Sequence, residues 1–395
     1  VAVLNIDRPE KVGRFALLYL GFRPFFLGAG LWAVISVLLW LGIYTLGWRL
    51  PLAGLSPTLW HAHEMVFGYA VAVIAGFLLT SVKNWTNQQT WNGARLAALV
   101  VLWAAARVLF ALGGADMLTT ATLINALFLL GVFVAIGLPV ARARQWNQLP
   151  VIIIPALLFI AQLLVILAPA PRTGIYAGLF LVVLLIFIMG RRVIPFFIER
   201  GVDEEASIGN PPALDIACIA TYLVYAVAEF TAPVSPWTAL FAWFAAMAHG
   251  VRLYLWYTPG VWHKPLVWVL WLGYAFLVLG LVMRAMAAFW FTNPFLGLHA
   301  LTYGGIGLIT LGMMARVSLG HTGRNVSEPP KAVGWMFALL GVGTVVRVLL
   351  PLVLPASYYG SLIVASQLLW IAAFGLFVAI YGPMLVLRRV DGRYG

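Results

Sequence analysis

Charge is scarce in these 395 residues: 9% are Asp, Glu, Lys or Arg, against about 25% in an ordinary soluble domain, which excludes a water-soluble globular fold. Cysteine is nearly absent. The single Cys218 cannot form an intrachain disulfide, an iron–sulfur cluster or a Cys-rich zinc site. Acid is scarcer than base, 12 residues against 24, yet no basic run interleaved with exposed polar residues exists to track a phosphate backbone, so a nucleic-acid partner is excluded. No Ser-His-Asp arrangement, P-loop or dinucleotide glycine pattern stands in a suitable context. Long polar segments are missing too: the longest connection, Glu199 to Pro212, is too short for a soluble module. The opening residues to Arg23 are mixed polar, with Asp7, Glu10 and Lys11, and read as neither signal nor transit peptide, so the first span is expected to direct insertion.

What remains is apolar. Hydrophobic residues make up 63% of the chain, and each membrane span needs about 20 of them. Breaking the apolar runs at Pro, Gly and charge places spans near 24–47, 60–82, 96–113, 118–140, 150–168, 174–195, 213–231, 237–257, 265–289, 295–317, 332–353 and 360–386. The expected fold is an all-α polytopic membrane protein of about twelve transmembrane helices, a single membrane domain over 1–395 in contact with membrane lipids. With both termini on one side, 19 of the 24 basic residues, Arg8 and Lys11 among them, fall on that side. Arg49, Arg107, Arg172, Arg284 and Arg347 fall on or near the other. The positive-inside rule then puts both termini in the cytoplasm and explains the net charge without a polyanionic partner.

An internal repeat is visible. Arg107-Val108-Leu109 in span three recurs as Arg347-Val348-Leu349 in span eleven, and the GVFVAI of Gly131 to Ile136 returns as the GLFVAI of Gly375 to Ile380. His63 is followed by Gly68 and Gly76, and His299 by Gly304 and Gly312, at the same offsets. Spans 1–4 (about 24–140) and 9–12 (about 265–386) therefore read as parallel copies of one four-helix unit, with 150–257 as a degenerate middle copy, giving three units. Inverted repeats, the commoner mark of a secondary transporter, do not fit this parity.

Ionisable groups inside a bilayer are costly and mark sites by default. The Trp60-His61-Ala62-His63-Glu64-Met65 segment follows Ser56 and Pro57, an N-cap and first helical position. Two residues along a helix are 200° of rotation, so His61 and His63 point to opposite faces and serve different sites, with Met65 one turn from His61. His299, at the outer end of span ten, matches His63 in depth and repeat position. A facing His pair in an apolar bundle with small residues nearby is how a b-type haem is held. His63 and His299 are the preferred axial pair, leaving His61 for copper, a second haem or proton transfer with Glu64. Arg107, Arg284 and Arg347 lie near the same depth and offer the planar donors that haem propionates need; snorkelling to outer phosphates suits Arg284 equally well and the repeated pair Arg107 and Arg347 less well. His249, deep in span eight, suits a ligand or a structural hydrogen bond equally, and Glu64 and His249 are the candidates for a catalytic group. His321, just after span ten, reads more as a helix end than as a ligand.

Several blocks together resemble one family. WHAHEMVFG (Trp60 to Gly68), GRRVIPFF (Gly190 to Phe197), ARVSLGHTG (Ala315 to Gly323) and RPFF (Arg23 to Phe26) are similar, in order and over nearly the whole length, to the NnrS family. The resemblance implies a polytopic inner-membrane protein of denitrifying and related bacteria, associated with the nitric oxide response and containing haem and copper. By motif it also implies roles for His61, His63, Glu64, His299, Arg316 and His321. One departure concerns span nine, where Trp271 stands in place of the family's expected His and puts any metal site that used it in doubt. In architecture the span count, with histidines on spans two and ten, resembles the main subunit of haem–copper oxidases and nitric oxide reductases. Spans six and seven, which supply further metal ligands there, hold no histidine here.

The expected function is a haem-binding redox protein that binds or turns over nitric oxide, an oxidoreductase if it is an enzyme, served by an electron donor the sequence does not name. A twelve-helix transporter of a metal complex or small solute, or a non-catalytic nitric oxide sensor, are the other two readings.

Overall fold

The computed structural model describes residues 13–290 and 293–395. Asp7, Arg8, Glu10 and Lys11 of the opening segment lie outside the described residues. Among the described residues twelve long helices run in chain order: α1 Phe22–Leu46, α2 Pro57–Thr86, α3 Gly93–Leu112, α4 Leu118–Arg142, α5 Leu149–Leu167, α6 Pro171–Gly201, α7 Pro212–Thr231, α8 Pro236–Leu255, α9 Pro265–Trp290, α10 Pro294–His321, α11 Ala332–Val353 and α12 Tyr359–Val386. Among the described residues there is no β-sheet, only one bridge between Phe15 and Leu387. The chain is an all-α polytopic membrane protein, as its composition requires.

Local sequence sets where these helices begin. Pro57, Pro171, Pro212, Pro236, Pro265 and Pro294 open their helices, where a fixed φ helps and the missing N–H would be unpaired anyway. Ser56 Oγ accepts from Leu59 N at 3.4 Å, Ser235 Oγ from Thr238 N at 3.2 Å and Asn293 Oδ1 from Phe295 N at 3.0 Å, each satisfying a donor the helix start leaves free.

Eleven of the twelve are long and apolar enough to cross a membrane. α8 is as long as α3 but carries Trp237, Trp243, His249, Arg252 and Tyr254, which lower its hydropathy. Its exposed side is still apolar, with Leu240, Phe244, Met247 and Val251 at helical spacing. α1 shows the same kind of stripe in Leu31, Ile35 and Leu38, and α5 in Ile153 and Ile160. Apolar side chains at helical spacing on the outside are what a hydrocarbon solvent selects.

The chain divides into two compact units. The first comprises 1–181, 314–328 and 374–395; the second comprises 182–313 and 329–373. In the first, Leu52, Leu55, Trp60, Phe110 and Ala121 pack into one apolar cluster. Arg23 is fully buried there, yet its guanidinium donates to the carbonyls of Met384, Leu385 and Leu387 at 3.1, 2.9 and 2.8 Å and to Gly395 O. It thus serves the unpaired carbonyls that end α12. In the second unit, Met283, Leu296, Ala300 and Val348 form an apolar cluster of α9, α10 and α11.

Three helices widen into π-helical turns, at Glu64–Ala70 in α2, Ala300–Ile306 in α10 and Val345–Leu349 in α11. Such turns are rare and concentrate at functional sites. The first two are equally long, and each begins at the residue after a histidine, His63 or His299.

Candidate functional site

In the first unit, five side chains from four helices close a ring of hydrogen bonds, all of them buried. Glu64 Oε2 accepts from Arg107 Nη1 at 2.8 Å, and Arg107 Nη2 donates to Asn125 Oδ1 at 2.6 Å. Asn125 Nδ2 donates to Gln162 Oε1 at 2.9 Å. Gln162 Oε1 faces His63 Nε2 at 3.1 Å, and His63 Nδ1 faces Glu64 Oε1 at 2.9 Å, which completes the circuit. α2 contributes two neighbours to it, and α3, α4 and α5 contribute one each. The His63 ring lies against Phe110, with centroids 3.9 Å apart, and near Phe67 at 5.1 Å.

The π-helical turn lets this ring form against the backbone. Gly68 O, inside the turn, accepts from Trp103 Nε1 of α3 at 2.9 Å. A Cβ on Gly68 would meet Trp32 Nε1 at 2.5 Å, Arg107 Nη1 at 2.7 Å and Glu64 Oε2 at 2.9 Å. Only glycine lets the guanidinium lie on the helix at this point.

The second unit holds a smaller polar site. His299 Nδ1 sits 2.7 Å from Phe295 O; a carbonyl only accepts, so Nδ1 carries the proton and Nε2 keeps its lone pair. Arg347 Nη2, from the π-helical turn of α11, faces that lone pair at 3.3 Å, and Arg347 Nη1 reaches Tyr359 Oη at 3.3 Å. His299 and Arg347, both selected from the sequence, therefore meet. Arg284 instead pairs with Glu229 and donates to Pro294 O at 3.2 Å.

His249 is fully buried and saturated. Its Nε2 donates to Cys218 O at 3.2 Å, so its Nδ1 lone pair must accept from Tyr274 Oη, 2.5 Å away. The Phe187 ring stacks on it at 3.7 Å. Close by, Asp215 bridges two arginines, Arg252 at 2.7 Å and Arg191. Both ring nitrogens of His249 are thus engaged in hydrogen bonds.

The other sequence candidates are dispersed. His61 stacks on Trp40 at 4.8 Å and nearly parallel, while Met65 Sδ accepts from Ser36 Oγ at 3.8 Å; both face α1, on a different side of α2 from His63. His321 lies at the end of α10 with its ring 5.5 Å from Phe22 and its carbonyl accepting from Arg389 Nη1 at 3.1 Å. Arg316 is half-buried one turn and more before it. Trp271 spends its Nε1–H on Leu253 O at 3.3 Å and packs against Tyr257 and Trp262. Among the described residues no three His, Cys, Asp or Glu side chains gather as metal ligands.

Sequence reasoning missed Asn125, Gln162, Asp215 and Glu229. A signal existed for one of them: Gln162 is the lone hydrogen-bonding side chain in α5, and an amide inside an apolar span needs a partner.

The model of the NnrS protein family matches residues 16–389. The chain belongs to the NnrS family. The matched stretch contains every residue of both polar sites, from His63 to Gln162 and from Glu229 to Tyr359. No match was found among curated proteins.

The NnrS family implies haem and copper, and the side chains differ in how they fit such groups. His299 fits an iron by its chemistry: a carbonyl sets its tautomer, Nε2 is left as the unprotonated ring nitrogen, and the guanidinium that faces this nitrogen is suited to an anionic substituent. His249 has no lone pair left, and both nitrogens of His63 are engaged within the ring. A copper ion at His61 and Met65 would have two protein ligands.

Proposed function

We propose that this NnrS-family protein binds haem in the bacterial inner membrane and takes part in the nitric oxide response. The observation that carries the proposal is the His299 and Arg347 pair. An imidazole presents Nε2 with its tautomer fixed, and a guanidinium lies 3.3 Å from the same nitrogen. His299 would hold the haem iron and Arg347, with Tyr359 behind it, would hold a propionate. The haem, when bound, supplies an iron that takes nitric oxide. The protein orients His299 through Phe295 O, beside the apolar cluster of Met283, Leu296, Ala300 and Val348.

Expression with haem supply, followed by optical spectra of the purified protein with and without dithionite and nitric oxide, tests this reading. A Soret band that shifts with nitric oxide and is lost in His299→Ala is the expected result. Purified wild-type protein that takes up no haem would overturn it. α2 and α10 widen at their π-helical turns but stay helical throughout, which disfavours a transporter built on helices broken at mid-membrane.

A further inference from the structure

The directions of the hydrogen bonds in the five-residue ring follow from one fixed point. Arg107 has donors and no acceptor, so the Asn125 atom facing it at 2.6 Å must be the amide oxygen. That turns the Asn125 NH2 toward Gln162 and requires Gln162 to answer with its oxygen, at 2.9 Å. The same oxygen faces His63 Nε2 at 3.1 Å. Two acceptors cannot meet there, so Nε2 carries a hydrogen. His63 Nδ1 then faces Glu64 Oε1 at 2.9 Å. A lone pair against a carboxylate oxygen at that distance is repulsive, and one proton must lie between them.

We infer that His63 and Glu64 form a proton-holding dyad inside the membrane, with Arg107 as its positioning residue, and that His63 does not act as a metal ligand. The proton can sit on either partner: when it passes from Nδ1 to Oε1, an N–H bond breaks and an O–H bond forms. Imidazolium and carboxylate thereby become neutral imidazole and carboxylic acid. The dyad's total charge is zero in both forms. In both, Nε2 keeps its hydrogen and offers no lone pair to a metal. The surroundings suit this task. Both side chains are fully buried, Arg107 stays bonded to Glu64 Oε2 in either form, and the ring is closed by side chains rather than by water. Rotating the Gln162 amide to give Nε2 a donor would set NH2 against the Asn125 NH2; rotating Asn125 as well would set NH2 against the guanidinium. Arg107 therefore locks both amides. This inference concerns the first unit alone and stands whether or not His299 binds haem.

The test is nitrogen-15 magnetic resonance of full-length protein labelled at histidine and held in lipid nanodiscs, the His63 signals being those lost in His63→Gln. The expected spectrum has Nε2 in the N–H class and Nδ1 at the intermediate shift of a shared proton. Arg107→Lys, still a donor-only cation, should keep that pattern. Arg107→Met unlocks the amides and should move Nε2 toward the lone-pair class. A wild-type Nε2 in the lone-pair class would overturn the proposal, as would Arg107→Met indistinguishable from wild type. If Arg107→Met does not fold, Gln162→Leu is read instead: it removes the acceptor at Nε2 and should give the same shift. Haem-loaded protein supplies the second measurement. The His63 signals should persist unbroadened by iron, and their loss on loading would make His63 a ligand after all.

Discussion

Replacing Arg107 by Met tests the ring energetically. The substitution keeps much of the side-chain volume but removes the donors to Glu64 Oε2 and Asn125 Oδ1. It also takes the cation from Glu64 Oε2 and leaves the buried acid with His63 as its remaining partner. Breaking a buried, hydrogen-bonded charge pair from one side costs about 3–5 kcal/mol, or roughly 6–10 °C of melting temperature at the ~2 °C per kcal/mol of large domains. Adding Glu64→Gln should recover part of the loss, because a buried carboxyl that has lost its Arg107 donor is replaced by a neutral amide. The residual cost is that of an unpaired Asn125 oxygen, about 1–3 kcal/mol. Thermal unfolding in nanodiscs, followed by intrinsic tryptophan fluorescence, reads both variants. Arg172→Leu is the control, since Arg172 is exposed, with its guanidinium 4.8 Å from the Tyr176 ring. A single variant that melts within about 1 °C of the control, or a double variant that falls by the sum of both single losses, would refute the coupling argued here.

Four other outcomes follow. Arg347→Leu should weaken haem retention well beyond Arg172→Leu, measured as haem per protein after gel filtration; equal retention removes Arg347 from the site. Tyr274→Phe leaves the buried His249 Nδ1 without its donor and should lower stability by about 1–3 kcal/mol while leaving haem content unchanged. The Arg389 guanidinium beside Asp391 draws its carboxyl down from 3.8 to about 2. This depressed value contributes stability above about pH 4 that is lost as pH falls toward 2, so pepsin should cut near Val390 faster at pH 2 than at pH 4. Asp391→Asn should abolish that difference. Finally, a reporter joined after Arg393 should be active in the cytoplasm, and periplasmic activity alone would reverse the topology.

The helix ends were readable because proline and the Ser and Asn caps act locally: Ser56-Pro57 and Pro236 need no tertiary contact to open a helix. Paired sites were harder. His299 and Arg347 could be selected as ionisable groups in apolar spans, yet nothing in the sequence foretold that Phe295 O would fix the imidazole. The ring was least readable. Asn125 and Gln162 are 37 residues apart in chain order on different helices, and each acquires meaning only from the other and from Arg107. His63 looks like a ligand because imidazoles at repeated positions suggest one; in the structure its two nitrogens face an adjacent acid and a distant amide, contacts that only packing supplies. The π-helical turns left no pattern that helical periodicity detects, because each depends on what the neighbouring helix presses against it.

The turn at Glu64–Ala70 also sets a phase. An extra residue accommodated within a helix turns everything before it by about 100° relative to everything after it. Trp60, His61 and His63 therefore look out along directions that an uninterrupted helix ending in Gly76 and Thr80 would not give them. Shortening the 64–70 segment by one residue would restore a regular helix and keep every side chain that names the family. It would swing His63 away from Gln162 and strand the amide chain that Arg107 aligns. Sequence identity at this place is thus insufficient: spacing to the residue is part of the site, and a homologue with one deletion here would share the motif without sharing the ring.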